Sequence, residues 1–150
     1  MINIFTTDYT PEKIIKKIRG GEWDDILTKL CNSNNDSIFL DHTFFKHFAS
    51  KETYHILTNY ILNHINNILL THNSFVVHLN MKNLTLLELD KHMGFLQTFS
   101  VFLKETYANK MDKCYIYNAP FIISNIISMI SLFIDAETLK KIEIVDKHIK

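Results

Sequence analysis

The sequence predicts an α/β domain in which helices pack on a small, mostly parallel sheet. Three observations carry that expectation. Short β-branched or aromatic runs alternate along the chain with longer segments whose apolar residues step by three or four. The segments between successive runs are long enough to cross over and bring the next strand in parallel. A chain of 150 residues, 47% of them hydrophobic, can bury roughly 70% of the surface it would expose unfolded, without disulfides or a structural metal.

Thr10-Pro11-Glu12 opens the first helix, with an N-cap candidate, a proline at the first helical position and an acid in the first turn. It runs to Gly20 and Gly21, and Lys13, Lys16, Lys17 and Arg19 give it a basic side that reads first as a solvated face. Trp23, Ile26, Leu27 and Leu30 mark a second short amphipathic helix. Asn32-Ser33-Asn34-Asn35-Asp36 is the clearest break in the chain, dividing a helical lead over residues 1–35 from a main domain over 36–150. Ile38-Phe39-Leu40 then reads as a strand, and Thr43 to Ala49 as a loop or helical turn whose phenylalanines fill a core. Ser50 caps a long helix with Tyr54, Leu57, Ile61, Ile65 and Ile68 on one face.

Phe75-Val76-Val77-His78-Leu79 fits a buried parallel strand. A second long helix follows with the stripe Leu86, Leu89, Met93, Leu96, Phe99, Leu103 and Tyr107. Cys114-Tyr115-Ile116-Tyr117 is a third strand, Phe121 to Ile134 a third helix, Asp135 caps one further turn, and Ile142 to Val145 is the last strand.

Composition excludes several functions. Sixteen basic residues balance sixteen acidic ones, and Arg19 is the single arginine, which argues against a nucleic-acid partner. Three glycines, Gly20, Gly21 and Gly94, cannot build a Walker loop or a dinucleotide fingerprint. Without a glycine after Gly94, no nucleophile elbow forms around Ser124, Ser128 or Ser131, which read as serines bonding back to their own helix. Eight histidines invite a metal, but His42 and His47, or His55 and His64, lack the spacing of a helical ligand pair, so they read as surface residues. His78, on a buried strand, reads as a satisfied core residue. Cys31 and Cys114 read as buried, unreactive thiols, and with no recognisable signal peptide ahead of them they imply a reducing, cytoplasmic compartment. The chain therefore reads as a non-enzyme.

From Cys114 to Ile134 there are 21 positions without a charge. A membrane span fails on continuity, because Pro120 has no amide donor and forces Ala119 out of the helical region. The remaining 14 residues, Phe121 to Ile134, fall short of the ~20 a bilayer span needs. That helix is apolar on nearly every side, and a helix apolar all round must bury every face. It is either a central core helix, or one that meets protein on one face and lipid on another.

Here the chain resembles a family. Asn118-Ala119-Pro120-Phe121 at a strand-to-helix junction is preceded by Tyr107 and Met111 and followed by Phe133-Ile134-Asp135 and by Thr138-Leu139-Lys140-Lys141-Ile142. Together these resemble the second half of a CRAL-TRIO domain, the lipid-binding domain of the secretory-pathway phosphatidylinositol transfer proteins and of the retinaldehyde and tocopherol carriers. The likeness spans Phe75 to Val145 and reaches more weakly to Ile38.

The resemblance implies a sheet forming the floor of a hydrophobic pocket, closed by an apolar gate helix over Phe121 to Ile134. The acyl pocket would be lined by Val77, Leu79 and Ile116 from the floor and by Ile123, Ile127, Ile130 and Phe133 from the gate. Thr138 and Lys141 match the pair that contacts the inositol phosphate headgroup in the phosphatidylinositol-binding branch. Taken alone, Lys141 equally suits the negative end of a helix dipole. Asn73 and Phe75 replace the hydroxyl residues of the choline-lipid-binding members, and Tyr107-Ala108-Asn109 replaces the usual Tyr-Pro-Glu. The helical companion module is not recognisable in Met1 to Asn35, and a Gly-Gly tail is missing, which implies a minimal member with a less enclosed pocket.

The expected function is binding of phosphatidylinositol or a related phospholipid, exchanged between membranes by a protein that is peripheral to them. No cofactor beyond the lipid and no metal is implied. Some relatives recruit small GTPases or other proteins, so the gate is also a candidate surface for a protein partner or a homodimer.

Overall fold

The computed structural model describes residue 5, residues 8–132 and residues 134–145. Helix α1 (Pro11–Arg19) starts where Thr10 Oγ1 accepts the Lys13 amide at 3.2 Å. Gly21, at φ +81°, turns the chain into α2 (Trp23–Leu30).

The expected break at Asn32 to Asp36 is instead a hairpin. Strand β1 (Cys31–Asn34) pairs antiparallel with β2 (Ser37–Asp41), and Asn35 takes the tight turn at φ +56°. Asparagine tolerates that left-handed backbone better than most residues. Ile14 of α1 and Ile26, Leu27 and Leu30 of α2 join the same buried cluster as Ile38 of β2.

Helix α3 (His42–Phe48) is capped by Asp41 and buries Phe44 and Phe48. Helix α4 (Tyr54–Leu69) buries the expected Leu57, Ile61, Ile65 and Ile68. Its cap position is Thr53 rather than Ser50; the Thr53 hydroxyl donates to Phe48 O at 2.7 Å and accepts from the Ser50 amide at 2.9 Å, shaping the turn before the helix.

After β3 (Phe75–Asn80), the single helix expected from Leu86 to Tyr107 divides at His92 into α5 (Leu86–Lys91) and α6 (Met93–Thr106). A capping box between Thr85 and Glu88 starts α5. Strand β4 (Met111–Tyr117) leads to α7 (Ile123–Ile130), then α8 (Ala136–Lys140), capped by Asp135 as expected, and β5 (Ile142–Ile144).

The five strands lie in sequence order, β2 to β5 all parallel and β1 antiparallel at one edge. Register puts Ile38, Val77, Cys114 and Ile142 side by side, and Leu40, Leu79, Ile116 and Ile144 two residues further on along the same face. Strands that follow one another this way, joined by right-handed crossovers, collect their helices on one side. The apolar face is that side: Ile38, Leu40 and Val77 pack with the buried residues of α4 and with Phe99 and Leu103 of α6.

The opposite face carries Phe39, His78 and Tyr115 in a stacked row, with centroid separations of 4.7 and 5.4 Å. His78 bonds Tyr117 Oη at 2.7 Å and Ser37 Oγ at 3.3 Å, so it is satisfied on this polar-aromatic face rather than in the core.

Candidate functional site

Helix α7 is shorter than the sequence implies, eight residues instead of fourteen. Pro120 disfavours helical backbone at Ala119, and Phe121 and Ile122 make a turn that the Ile123 amide closes on Pro120 O at 3.0 Å before the helix begins. At the other end Ser131 Oγ donates to Ser128 O at 2.8 Å, the back-bonding expected of these serines, and the helix ends there. Phe121 and Leu132, which fall outside the helix, are 97% and 84% exposed.

One residue of α7 is fully buried. Ile126, 1% exposed, closes a small cluster with Leu84 and Leu89, against which Met93, Leu96, Ile122, Ile123 and Met129 pack. Sequence reasoning did not single out Ile126. The available signal is its spacing, three residues after Ile123 and four before Ile130. Ile123, Ile127 and Ile130 are half-buried, and Phe133 lies outside the described residues.

The floor residues fall as the register dictates. Val77, Leu79 and Ile116 share the helix-bearing face of the sheet; Ile116 is buried, while Val77 and Leu79 keep part of their surface open. Helix α6 is unusual for an apolar element of 14 residues, because none of its residues is fully buried. Its stripe is divided: Met93 and Leu96 pack toward the α7 cluster, Phe99 and Leu103 toward the main core.

Thr138 and Lys141 bracket α8 at the entry to β5. The Thr138 amide donates to Asp135 Oδ1 at 2.8 Å, the Lys141 amide to Thr138 O at 3.0 Å, and Lys141 O accepts from the Cys114 amide at 2.9 Å, tying the segment to β4. Hydrogen bonds from the Thr138 hydroxyl and amide, then the Lys104 ammonium at 3.0 Å, hold the Asp135 carboxyl well below the usual carboxylate range. The arrangement leaves the end of α8 with a half-buried lysine beside the sheet.

Other chemistry is confined. Burial pushes both the Cys31 and Cys114 thiols up to about 12, so neither is a nucleophile at neutral pH. The histidines are less superficial than expected. His92 is 3% exposed with Nδ1 2.6 Å from Tyr54 Oη, and His42 Nε2 lies 3.1 Å from Glu88. Among the described residues no cluster of three or more His, Cys, Asp or Glu is arranged to hold a metal, and no helix is long and apolar enough to cross a membrane.

A mostly parallel sheet with helices packed on its apolar face and a short apolar helix set against α5 and α6 defines the class, and the sequence places the chain within it. The family described as the CRAL/TRIO domain matches residues 38–150. The chain belongs to the CRAL/TRIO family, a family of lipid-binding domains. Its fold is similar to that in the crystal structure of Sfh5, with a TM-score of 0.63 at 14% identity over 79% of this chain and 48% of that one. The chain thus spans about half the length of that relative. No curated protein matches the sequence.

Proposed function

We propose that the chain is a non-catalytic carrier that binds phosphatidylinositol and exchanges it between membranes. The observation that carries this reading is the incomplete burial around the gate. Ile123, Ile127 and Ile130 of α7, the whole of α6, and Val77 and Leu79 on the floor all keep apolar surface that protein does not cover. Acyl chains are the occupant that a lipid-binding family implies for such surface.

Energetics favour exchange over release. At ~0.8 kcal/mol per methylene, a chain of about sixteen carbons left in water costs on the order of 12 kcal/mol. The carrier should leave a membrane occupied. Phe121, Leu132 and Leu87, the last 84% exposed, are apolar side chains of the kind that reach into a bilayer surface while the lipid moves. The basic side of α1 contributes less, because Lys17 is engaged by Glu22 at 3.4 Å and Asp25 at 3.2 Å, and Lys13 sits over the Tyr9 ring.

In this reading Thr138 and Lys141 hold the headgroup, Lys141 as a point charge on phosphate. Organic extraction and mass spectrometry of the purified protein should release phosphatidylinositol in stoichiometric amount. Replacing Thr138 and Lys141 together by alanine should abolish its transfer between vesicles, and Thr138→Ser should restore it in the Lys141 background because the hydroxyl also serves Asp135. A lipid-free extract, or wild-type transfer by the double variant, removes the carrier reading and leaves the apolar gate as a surface for a protein partner.

A further inference from the structure

The carboxyl ends of the parallel strands hold a second site, at the opposite end of the strands from Thr138 and Lys141, which stand at the entry to β5. Three side chains are chained there, from the ends of β2 and β3 and from the residue just past β4. Asn118 Nδ2 donates to Asn80 Oδ1 at 2.9 Å, and Asn80 Nδ2 donates to Asp41 Oδ1 at 3.0 Å, which also accepts from the Thr43 hydroxyl at 2.7 Å. The Lys82 amide adds a fourth bond, to Asn80 Oδ1 at 3.1 Å. Asp41 is 2% exposed and its Oδ2 has no hydrogen-bond partner among the described residues. A buried, incompletely satisfied carboxyl is unusual where only the ends of strands need tying together.

The network backs onto a cavity of about 360 Å³, within the size range of small-molecule sites and too large for a single water. Its lining brings Asn80, Asn118, Thr43, Lys46, His47 and Lys82 together with the apolar surfaces of Tyr9, Phe44 and Ile14. No acidic side chain is among the described residues that line it. Lys46 is partly neutralised from outside by Glu88 at 3.3 Å, whereas Lys82 forms no ion pair among the described residues. Burial works against ionisation of Asp41 and so against an opposing charge behind the amides.

We propose that this cavity binds a phosphate monoester, its oxygens held by Lys46, His47 and Lys82 and its organic part set against Tyr9 and Phe44. Donors reach the cavity from α3, from the loop after β3 and from the end of β4. Several donors from separate directions suit a dianion with three free oxygens better than a single planar carboxylate, and lysine is an effective point charge on phosphate. The location is outside the carboxyl ends of β2, β3 and β4, where the loops that follow the strands bring these donors together. Ile142 pairs with Cys114, which sets Lys141 level with Lys113, so Asn118 lies about 16 Å further along the strand direction at ~3.3 Å per residue. One phosphate cannot occupy both places.

The test is a ¹H–¹⁵N NMR titration of the full chain with glycerol 3-phosphate, with glycerol and with sodium acetate at matched ionic strength. Glycerol 3-phosphate should shift the amides of Lys46, His47, Lys82 and Asn118 saturably, and the controls should not. Burial and then Lys46 hold the His47 imidazole below its ordinary range, so saturation with the dianion should raise its titration midpoint. Lys82→Gln, at an exposed position, should weaken binding about tenfold or more with the melting temperature unchanged. Vesicles doped with phosphatidic acid separate the two sources of such a group. Retention on them that depends on Lys82 and is competed by glycerol 3-phosphate makes the ligand a lipid headgroup, and binding of the soluble ester alone makes it a free metabolite. Equal shifts with acetate, an unmoved His47, or full affinity in Lys82→Gln overturns the proposal.

Discussion

Ile126 and Ile127 are neighbours on α7 with opposite surroundings. Ile126 is closed in by Leu84 and Leu89, and Ile127 is half-buried at the side of the helix. Ile126→Ala should therefore cost about 2–5 kcal/mol in urea unfolding, the range for a truncated core side chain. Ile127→Ala should cost markedly less. A charge separates the readings further, because an unpaired charge facing hydrocarbon is penalised by several kcal/mol even after relaxation. Ile127→Glu should give a soluble protein that melts cooperatively and carries no lipid; aggregation or a collapsed melting temperature would make Ile127 ordinary core. The residue-level pattern is only half legible in the sequence. An uncharged helix announces that most of its surface is covered, but a helix apolar on all sides does not say which face meets protein, and that is why Ile126 escapes notice. Asp41, Asn80 and Asn118 are less legible still. They are 38 and 39 residues apart along the chain and meet only through the register of three parallel strands.

At the scale of elements, the break between α5 and α6 follows from tertiary contact. Gly94 follows in the first turn of α6, and at the join itself stands His92, buried, with the Phe45 ring edge-on at 5.0 Å and Tyr54 Oη at 2.6 Å. Tyr54 also stacks on Phe95 at 4.2 Å, so one tyrosine of α4 fixes both the join and the first turn of α6. Tyr54→Phe keeps the stack and removes the hydroxyl, leaving the His92 ring nitrogen without that partner. It should destabilise the fold by about 1–3 kcal/mol, measured by denaturant unfolding, and loosen amide protection around the join; unchanged stability would mean that the break has another cause. Local periodicity makes α1, α2, α4 and the three central strands legible, because each buries a face of its own. Strand β1 is the converse. Asn32-Ser33-Asn34 has the composition of a loop and becomes a strand because β2 offers an unpaired edge next to a two-residue turn.

Across the described residues, five histidines sit within the packing, while His55 and His72 are exposed. His42 and His47 lie in α3, His64 in α4, His78 in β3 and His92 at the α5–α6 join, and burial is the leading cause that holds each below the ordinary histidine range. In His42 the nearby Glu88 carboxylate pulls the other way, but burial outweighs it. A histidine whose folded pKa is depressed stays neutral in the native state and takes up its proton first in the unfolded chain. The unfolded state then binds more protons, so stability is fully present above the unfolded value of 6.5 and is lost as pH falls through and below it. The carboxylates enter later: Glu88 and Asp25, both held low, give up their contribution only as pH falls below their unfolded values of 4.5 and 3.8, whereas Asp41, raised by burial, works in the opposite direction above its unfolded value of 3.8. The window just below pH 6.5 therefore belongs to the histidines. Because they sit on both faces of the sheet and in α3, α4 and the α5–α6 join, the loss should be cooperative rather than confined to one segment. Calorimetry should show a melting temperature that is nearly constant from pH 8 to pH 7 and falls continuously between pH 6.5 and 5.5 as a single transition. A flat profile down to pH 5.5 would mean that the buried histidines exchange protons with solvent as readily in the native state as in the unfolded chain.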